Sequence, residues 1–187
     1  GTTDFCAVKG QLPVSEDQYS ITKAGNFVDE LLMSSIAVSY PSAQLNLTVV
    51  KELKEAHSYV GSLQGKNAKI EVTLREEGKP FTADITEEVR LACEAIVPEI
   101  VEHIEMLIAG FEPNDQESAL ANIVLSGGGS KISGLGQMIA ESLKDYGKVN
   151  VNIVDDIIYS GCEGALRLAT DLPPEYWDQM GTMSLGD

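Results

Sequence analysis

Three short stretches carry residue types able to do chemistry. Residues 126–131 read SGGGSK and stand between a short apolar run and a helical pattern. Three consecutive glycines cost backbone entropy, so they point to positive φ angles or to something pressed against bare backbone. Phosphate is the usual guest at such a corner, because a helix N-terminus offers unpaired N–H groups and a partial positive charge. The stretch departs from the Walker pattern, with Ser130 rather than glycine before Lys131, and from GxGxxG, with Ile132 where the third glycine belongs. A merely tight strand-to-helix turn is the plain alternative. GTTD, Gly1 to Asp4, is a weaker signal of the same kind. KELKEAH, Lys51 to His57, places Lys51 and Glu55 at i and i+4, which on its own describes a solvated helix face. His57 and His103 have no carboxylate motif beside them and read as packing or surface histidines. Asp155 and Asp156 are a candidate metal pair or, more simply, the start of a helix. No Ser-His-Asp or HExxH arrangement is legible.

The elements that must position these residues follow from periodicity and punctuation. Thr3 to Val8 and Tyr19 to Thr22 read as a hairpin across the Gly10–Pro13 turn. A helix is predicted over Asn26–Tyr40 with Asp29 and Glu30 in its first turn, and a second, capped by Asn46, running to about Gly61. Lys69–Arg75 alternates and returns through REEGKPFTADI as a second hairpin. Thr86 is expected to cap the longest helix, which carries Val89 to Ile108 and is kinked at Pro98. Asn122–Ser126 is a short strand, Ile132–Tyr146 a helix, Val149–Val154 a strand and Ile158–Ala169 a helix. The aperiodic, proline-containing end reads as an extended tail or docking arm. Hairpins first and strand-helix alternation last predict an α/β chain with a mixed sheet flanked by helices. Residues 25–86 form a small α+β insertion.

The composition narrows the function classes. Thirteen Lys plus Arg against 29 Asp plus Glu give a formal charge of −16 over 187 residues, which argues against nucleic acid or an anionic membrane as a partner. Cys6, Cys93 and Cys162 are widely spaced and odd in number, as suits a reducing cytoplasm better than a disulfide framework. No run approaches the roughly 18 apolar residues of a membrane span, and no leader pattern opens the chain. The first strand is already in progress at Gly1, as expected of a piece preceded by more chain.

In combination and order, these stretches resemble the second half of the actin-type ATPase fold, with its ribonuclease H-like motif. Actin, the MreB and ParM filaments, Hsp70 and sugar kinases share that fold. GTTDFCAVKG looks like the remainder of the family's second phosphate loop, without the aspartate expected just ahead of it. KAGNFVDELL is similar to its AG-D-F-D stretch, and KELKEAHSYVG to the actin stretch IKEKLCYVA. IVLSGGGSKISGL resembles actin VLSGGTTMYPGI and, more closely, MreB VLTGGGALLRGL. The corner, the opening strand and the LPPEYWDQM tail resemble a magnetosome-filament branch of the bacterial group.

The resemblance implies a core subdomain of type IIA over residues 1–24 and 87–170, an upper subdomain of type IIB over 25–86 and a tail over 171–187. It implies ATP or ADP with Mg²⁺. Thr2 and Thr3, beside Gly1, face the terminal phosphates; Gly25, Lys54 and Glu55 border the nucleoside. Gly127, Gly128 and Gly129 leave room for adenosine and the first phosphate, with Lys131 near the base. It assigns no metal ligand to this chain. The catalytic residues, the first phosphate loop and the metal-supporting aspartates are expected on a preceding half, so this piece alone should not hydrolyse ATP. Self-association into cytoplasmic, cytoskeletal filaments is implied, with magnetosome-associated proteins as further partners. A sugar- or acetate-type kinase of the same fold, an Hsp70-like ATPase and a non-catalytic interaction domain are the alternatives.

Overall fold

A computed structural model describes residues 1–10, 13, 15–63, 68–157, 159–173 and 177. The chain divides into two compact units, Gly1–Ile153 and Val154–Asp187.

The first unit opens with strands β1 (Thr3–Cys6) and β2 (Gln18–Ile21), an antiparallel pair with Thr3 opposite Ile21. β1 stops before Val8 because its partner strand gives way to the 3-10 turn Ser15–Asp17; the Ala7 N–H still donates to Asp17 O at 2.8 Å, and Lys9 pairs with Asp17 at 2.5 Å. Helix α1 (Gly25–Ser39) buries Val28, Leu32 and Ile36 at helical spacing. It begins at Gly25, so Asp29 lies beyond the first turn and is buried rather than facing solvent at the helix start. Helix α2 (Leu47–His57) is capped as expected, with Asn46 accepting from the Val49 N–H at 2.9 Å. It ends short of Gly61 because Tyr59 and Val60 leave to pair with Ser133. Strands β3 (Glu71–Glu76) and β4 (Lys79–Asp84) form the second hairpin. Its two turn residues, Glu77 and Gly78, both have positive φ, the twist-compatible geometry of a two-residue hairpin loop.

The single long helix expected after Thr86 is two helices, α3 (Thr86–Glu94) and α4 (Val97–Ala109). Pro98 cannot donate to the Glu94 carbonyl and its ring crowds that group, so α3 ends there and the proline falls in the first turn of α4. Thr86 does not cap α3. Its N–H and hydroxyl both donate to Asp84 Oδ1, at 3.1 and 2.5 Å, so the aspartate takes the capping role. Helix α5 (Gln116–Leu120) has no counterpart in the sequence reading, being too short to show a period. Strand β5 (Ile123–Leu125) pairs in parallel with β6 (Val151–Ile153), and helix α6 (Leu135–Ser142) lies between them in sequence.

Parallel and antiparallel pairings thus both occur. Among the described residues they are divided over three two-stranded ladders rather than united in one sheet. One apolar core runs through the unit, taking Leu32, Ile36 and Val50 from residues 25–86, and Val89, Cys93, Ile139 and Leu143 from beyond them. All three cysteines are free, with Cys93 buried and Cys6 and Cys162 exposed. The second unit carries α7 (Ser160–Asp171), none of whose residues is buried. Of the tail, all but Asp171, Leu172, Pro173 and Trp177 lies outside the described residues, and with it the expected arm. Among the described residues no helix is long and apolar enough to cross a membrane.

Candidate functional site

The α1 and α2 helices meet through charge. Asp29 sits on the apolar stripe of α1, four residues after Gly25 and three before Leu32, and is 7% exposed. The Lys54 ammonium lies 2.7 Å from Asp29 Oδ1 and donates to the Gly25 carbonyl at 3.1 Å. A Cβ on Gly25 would come 3.3 Å from that same ammonium, so the lysine accounts for the glycine. Lys54 and Glu55, adjacent in sequence and expected to act together, face different surroundings. Glu55 is exposed and lies 3.8 Å from Lys51, the solvated i,i+4 pair that the spacing described. Asp29 was missed as a site residue. The signal that could have found it is a carboxylate on an otherwise apolar helical stripe.

Gly1 and Thr3 reach the same region. A Cβ on Gly1 would lie 4.0 Å from Ala24 Cβ, and the Thr3 hydroxyl donates to Lys23 O at 2.7 Å. Lys23 in turn pairs with Glu99 of α4 at 2.7 Å, which ties this segment to the core. Thr2 donates to Asp4 Oδ2 at 3.0 Å. The Asp4 carboxyl is held below its usual range, first by the Ser20 hydroxyl and then by that of Thr2. Both threonine hydroxyl protons are therefore engaged within the chain.

At the glycine corner, Gly127 alone has a positive φ, 82° with ψ 178°, a region closed to side chains. Gly128 and Gly129 do not, and a Cβ on either would meet nothing within 4 Å. Of the two reasons expected for consecutive glycines, positive φ applies to Gly127 and not to Gly128 or Gly129. Nor does the α6 helix begin at the corner. Residues Gly128–Lys131 form a 3-10 turn, tightened by Ser130 Oγ donating to Gly127 O at 2.7 Å, and α6 starts only at Leu135. The corner is therefore a 3-10 turn, and the first N–H groups of α6 lie elsewhere. Lys131 closes the turn, exposed. Two residues on, Ser133 bridges to Tyr59, so the corner and the end of α2 are joined through backbone.

The remaining candidates have structural roles. His103 stacks on Phe5, ring centres 5.0 Å apart, and its Nδ1 lies 2.8 Å from Glu99 O, which packs β1 on α4. His57 is half-buried at the last turn of α2. In the second unit, Asp156 Oδ1 accepts from the Tyr159 N–H at 2.9 Å ahead of α7, the helix-starting role. Among the described residues no three His, Cys, Asp or Glu side chains converge as a metal set.

The fold and the ordered motifs define an actin-like protein, and the model of the MreB/Mbl protein family matches residues 1–173. The chain belongs to that family. It is 48% identical over 184 residues to the actin-like protein MamK of Paramagnetospirillum magneticum, covering 98% of this chain and 52% of that protein. It is 47% identical over 184 residues to MamK of Magnetospirillum gryphiswaldense, covering 98% of this chain and 50% of that one. Solved structures of MamK are among those that are similar. A non-polymerising MamK mutant bound to AMPPNP gives a TM-score of 0.85 at 46% identity, over 91% of this chain and 52% of that chain. The MamK double helical filament gives 0.87 at 47% identity, over 92% and 52%. The chain thus spans about half the length of the relatives it matches.

Proposed function

We propose that this chain is the nucleotide-binding second half of a filament-forming actin-like ATPase. The observation that carries the reading is the open corner. Among the described residues nothing in the packing or backbone calls for glycine at 128 or 129, whereas a ligand resting there does. A relative of the same fold bound to AMPPNP supports a nucleotide as that ligand. In this reading Gly127, Gly128 and Gly129 form the wall for adenosine and the first phosphate, with Lys131 near the base. Gly25, Lys54 and Glu55 border the nucleoside, and Gly1, Thr2 and Thr3 lie toward the terminal phosphates. Residues 25–86 serve as the upper subdomain on a core of 1–24 and 87–170.

ATP, when bound, supplies the phosphoryl bond. The residues of this chain bind and orient it, which is a large part of what phosphoryl transfer asks of a protein. The described residues do not by themselves fit Mg²⁺, since no cluster of carboxylates faces the corner. Metal support and the water-orienting group belong to the other half of the cleft, so the 187-residue chain alone hydrolyses ATP at no appreciable rate. Filament assembly in the cytoplasm, alongside magnetosomes, is the cellular role favoured by the likeness to MamK filaments. ATP-dependent pelleting of the intact protein separates that role from a small-molecule kinase, which would phosphorylate its substrate and stay in the supernatant.

Gly128→Val in the intact protein tests the site. Its φ is not positive and its Cβ direction is open, so the fold should tolerate the change. Calorimetry with AMPPNP should show an affinity lower by about tenfold or more, some 1.4 kcal/mol. Unchanged affinity removes the corner from the site.

A further inference from the structure

We infer that Asp29 is a positioning residue for the nucleoside side of the site. It holds the Lys54 ammonium against the Gly25 carbonyl, so that α1 and α2 present one fixed wall. The inference rests on the nucleotide-binding reading above. A carboxylate whose side chain is 10% exposed has lost most of its hydration, which is costly unless a counter-charge and hydrogen bonds replace the water. Lys54 supplies the charge at 2.7 Å, yet Oδ1 has no aligned hydrogen bond. As a device for stability alone this is a poor arrangement, since two apolar side chains of similar volume commonly serve as well or better.

What apolar side chains cannot do is aim an ammonium. Lys54 has three N–H groups. One is spent on Gly25 O at 3.1 Å, and the approach to Asp29 fixes the rotation of the head group. An N–H not spent on Gly25 is left for an oxygen or ring nitrogen of a ligand. The missing Cβ of Gly25 completes the fit, since a methyl there would sit 3.3 Å from the nitrogen. The same strut steadies Lys23–Gly25, the segment on which Gly1 and Thr3 lean. Asp29 thereby links the nucleoside side of the site to its phosphate side, although it faces neither.

The test is a double-mutant cycle in the intact protein. Asp29→Asn, Lys54→Met and the double variant are each titrated with AMPPNP and with ADP by calorimetry, and each is melted. Asp29→Asn should weaken both nucleotides about tenfold, although Lys54 is still present. In the Lys54→Met background the same change should cost nothing further, because Asp29 acts only through the lysine. The double variant, which leaves no buried charge, should melt close to the parent and still bind weakly. A role confined to stability would lower the melting temperatures of the single variants, restore that of the double and leave its nucleotide affinity at the parent value. That result overturns the inference, as does parent-like affinity in Asp29→Asn. If either occurs while Gly128→Val still binds poorly, the nucleotide reading stands and only the strut falls. A parent protein that binds neither nucleotide removes both. Should Asp29→Asn fail to fold, the affinity of the double variant against the parent decides the matter: weak binding supports the inference and parent-like binding overturns it.

Discussion

Two turns follow each other along the chain, Gly127–Lys131 and Ile132–Leu135, and the fold constrains them in opposite ways. At Gly134 the backbone is left-handed, with φ 83°, and a Cβ would come 2.8 Å from the Val60 carbonyl oxygen. Val60 cannot retreat. Its N–H donates to Ser133 O at 2.9 Å, and the Ser133 N–H donates to Ser58 O at 3.1 Å. At Gly128 and Gly129 neither obstacle exists. All of these glycines carry the same entropic cost, but one is explained by the chain folding on itself, whereas at the others the described residues supply no reason and the proposed nucleotide does. Asking what a Cβ would meet separates the two cases where composition cannot.

The comparison breaks first at Gly134. Alanine there adds a left-handed residue with a side chain, roughly 1 to 2 kcal/mol, and a clash with fixed backbone. Gly134→Ala should therefore lose about 3 kcal/mol in denaturant unfolding. A loss below about 0.5 kcal/mol would mean that the Tyr59–Ser133 junction is not the rigid side of the pair.

Next in size is an alkaline effect at Cys93, which lies beneath the same junction. Burial pushes its thiol from 9.0 up to about 11, against a smaller opposing pull from a Tyr59 backbone hydrogen bond and the Lys54 charge. The folded state thus favours the protonated thiol. Stability is fully present below pH 9, falls as the pH rises toward 11 and levels off beyond it. The loss is of order 2 kcal/mol. Tyrosines and lysines titrate in the same range, so the measurement is the difference in slope between the parent and Cys93→Ala. Equal slopes would place the thiol in contact with water and loosen the junction.

Local signals made most of the fold legible. Asn46 at its cap and the Glu77–Gly78 turn follow from residues near one another in sequence, and so does the α1 helix. Of the stripe expected on α1, Phe27, Leu31, Leu32, Ile36 and Ala37, only Leu32 and Ile36 are buried, and Val28 takes the third place. What the sequence hid depends on distant partners. Near Ile132 only Gly134, left-handed at the N-cap of α6, signals that the helix waits until Leu135; the pairing of Ser133 with Tyr59 that accompanies the delay is not local. Pro98 announced a disturbance, and whether it kinked or divided the helix turned on the crowded Glu94 carbonyl. In the candidate site the residue types were visible and their pairing was not. Lys54 and Glu55 are neighbours, yet one side chain turns to a buried aspartate and the other to solvent.

The smallest expected effect is also the sharpest test of the open corner. Gly128 heads a 3-10 turn with an ordinary φ and an unobstructed Cβ direction, so Gly128→Ala should change unfolding stability by no more than about 0.5 kcal/mol. Alanine restricts the unfolded chain more than glycine does, which offsets a small cost in the turn. A methyl group nevertheless projects from the wall, so nucleotide affinity should fall, and by less than for Gly128→Val. Stability held with affinity reduced makes the corner a surface shaped for a guest. A stability loss matching that of Gly134→Ala would make Gly128 another glycine the fold needs for itself, and the open corner would no longer carry the functional reading.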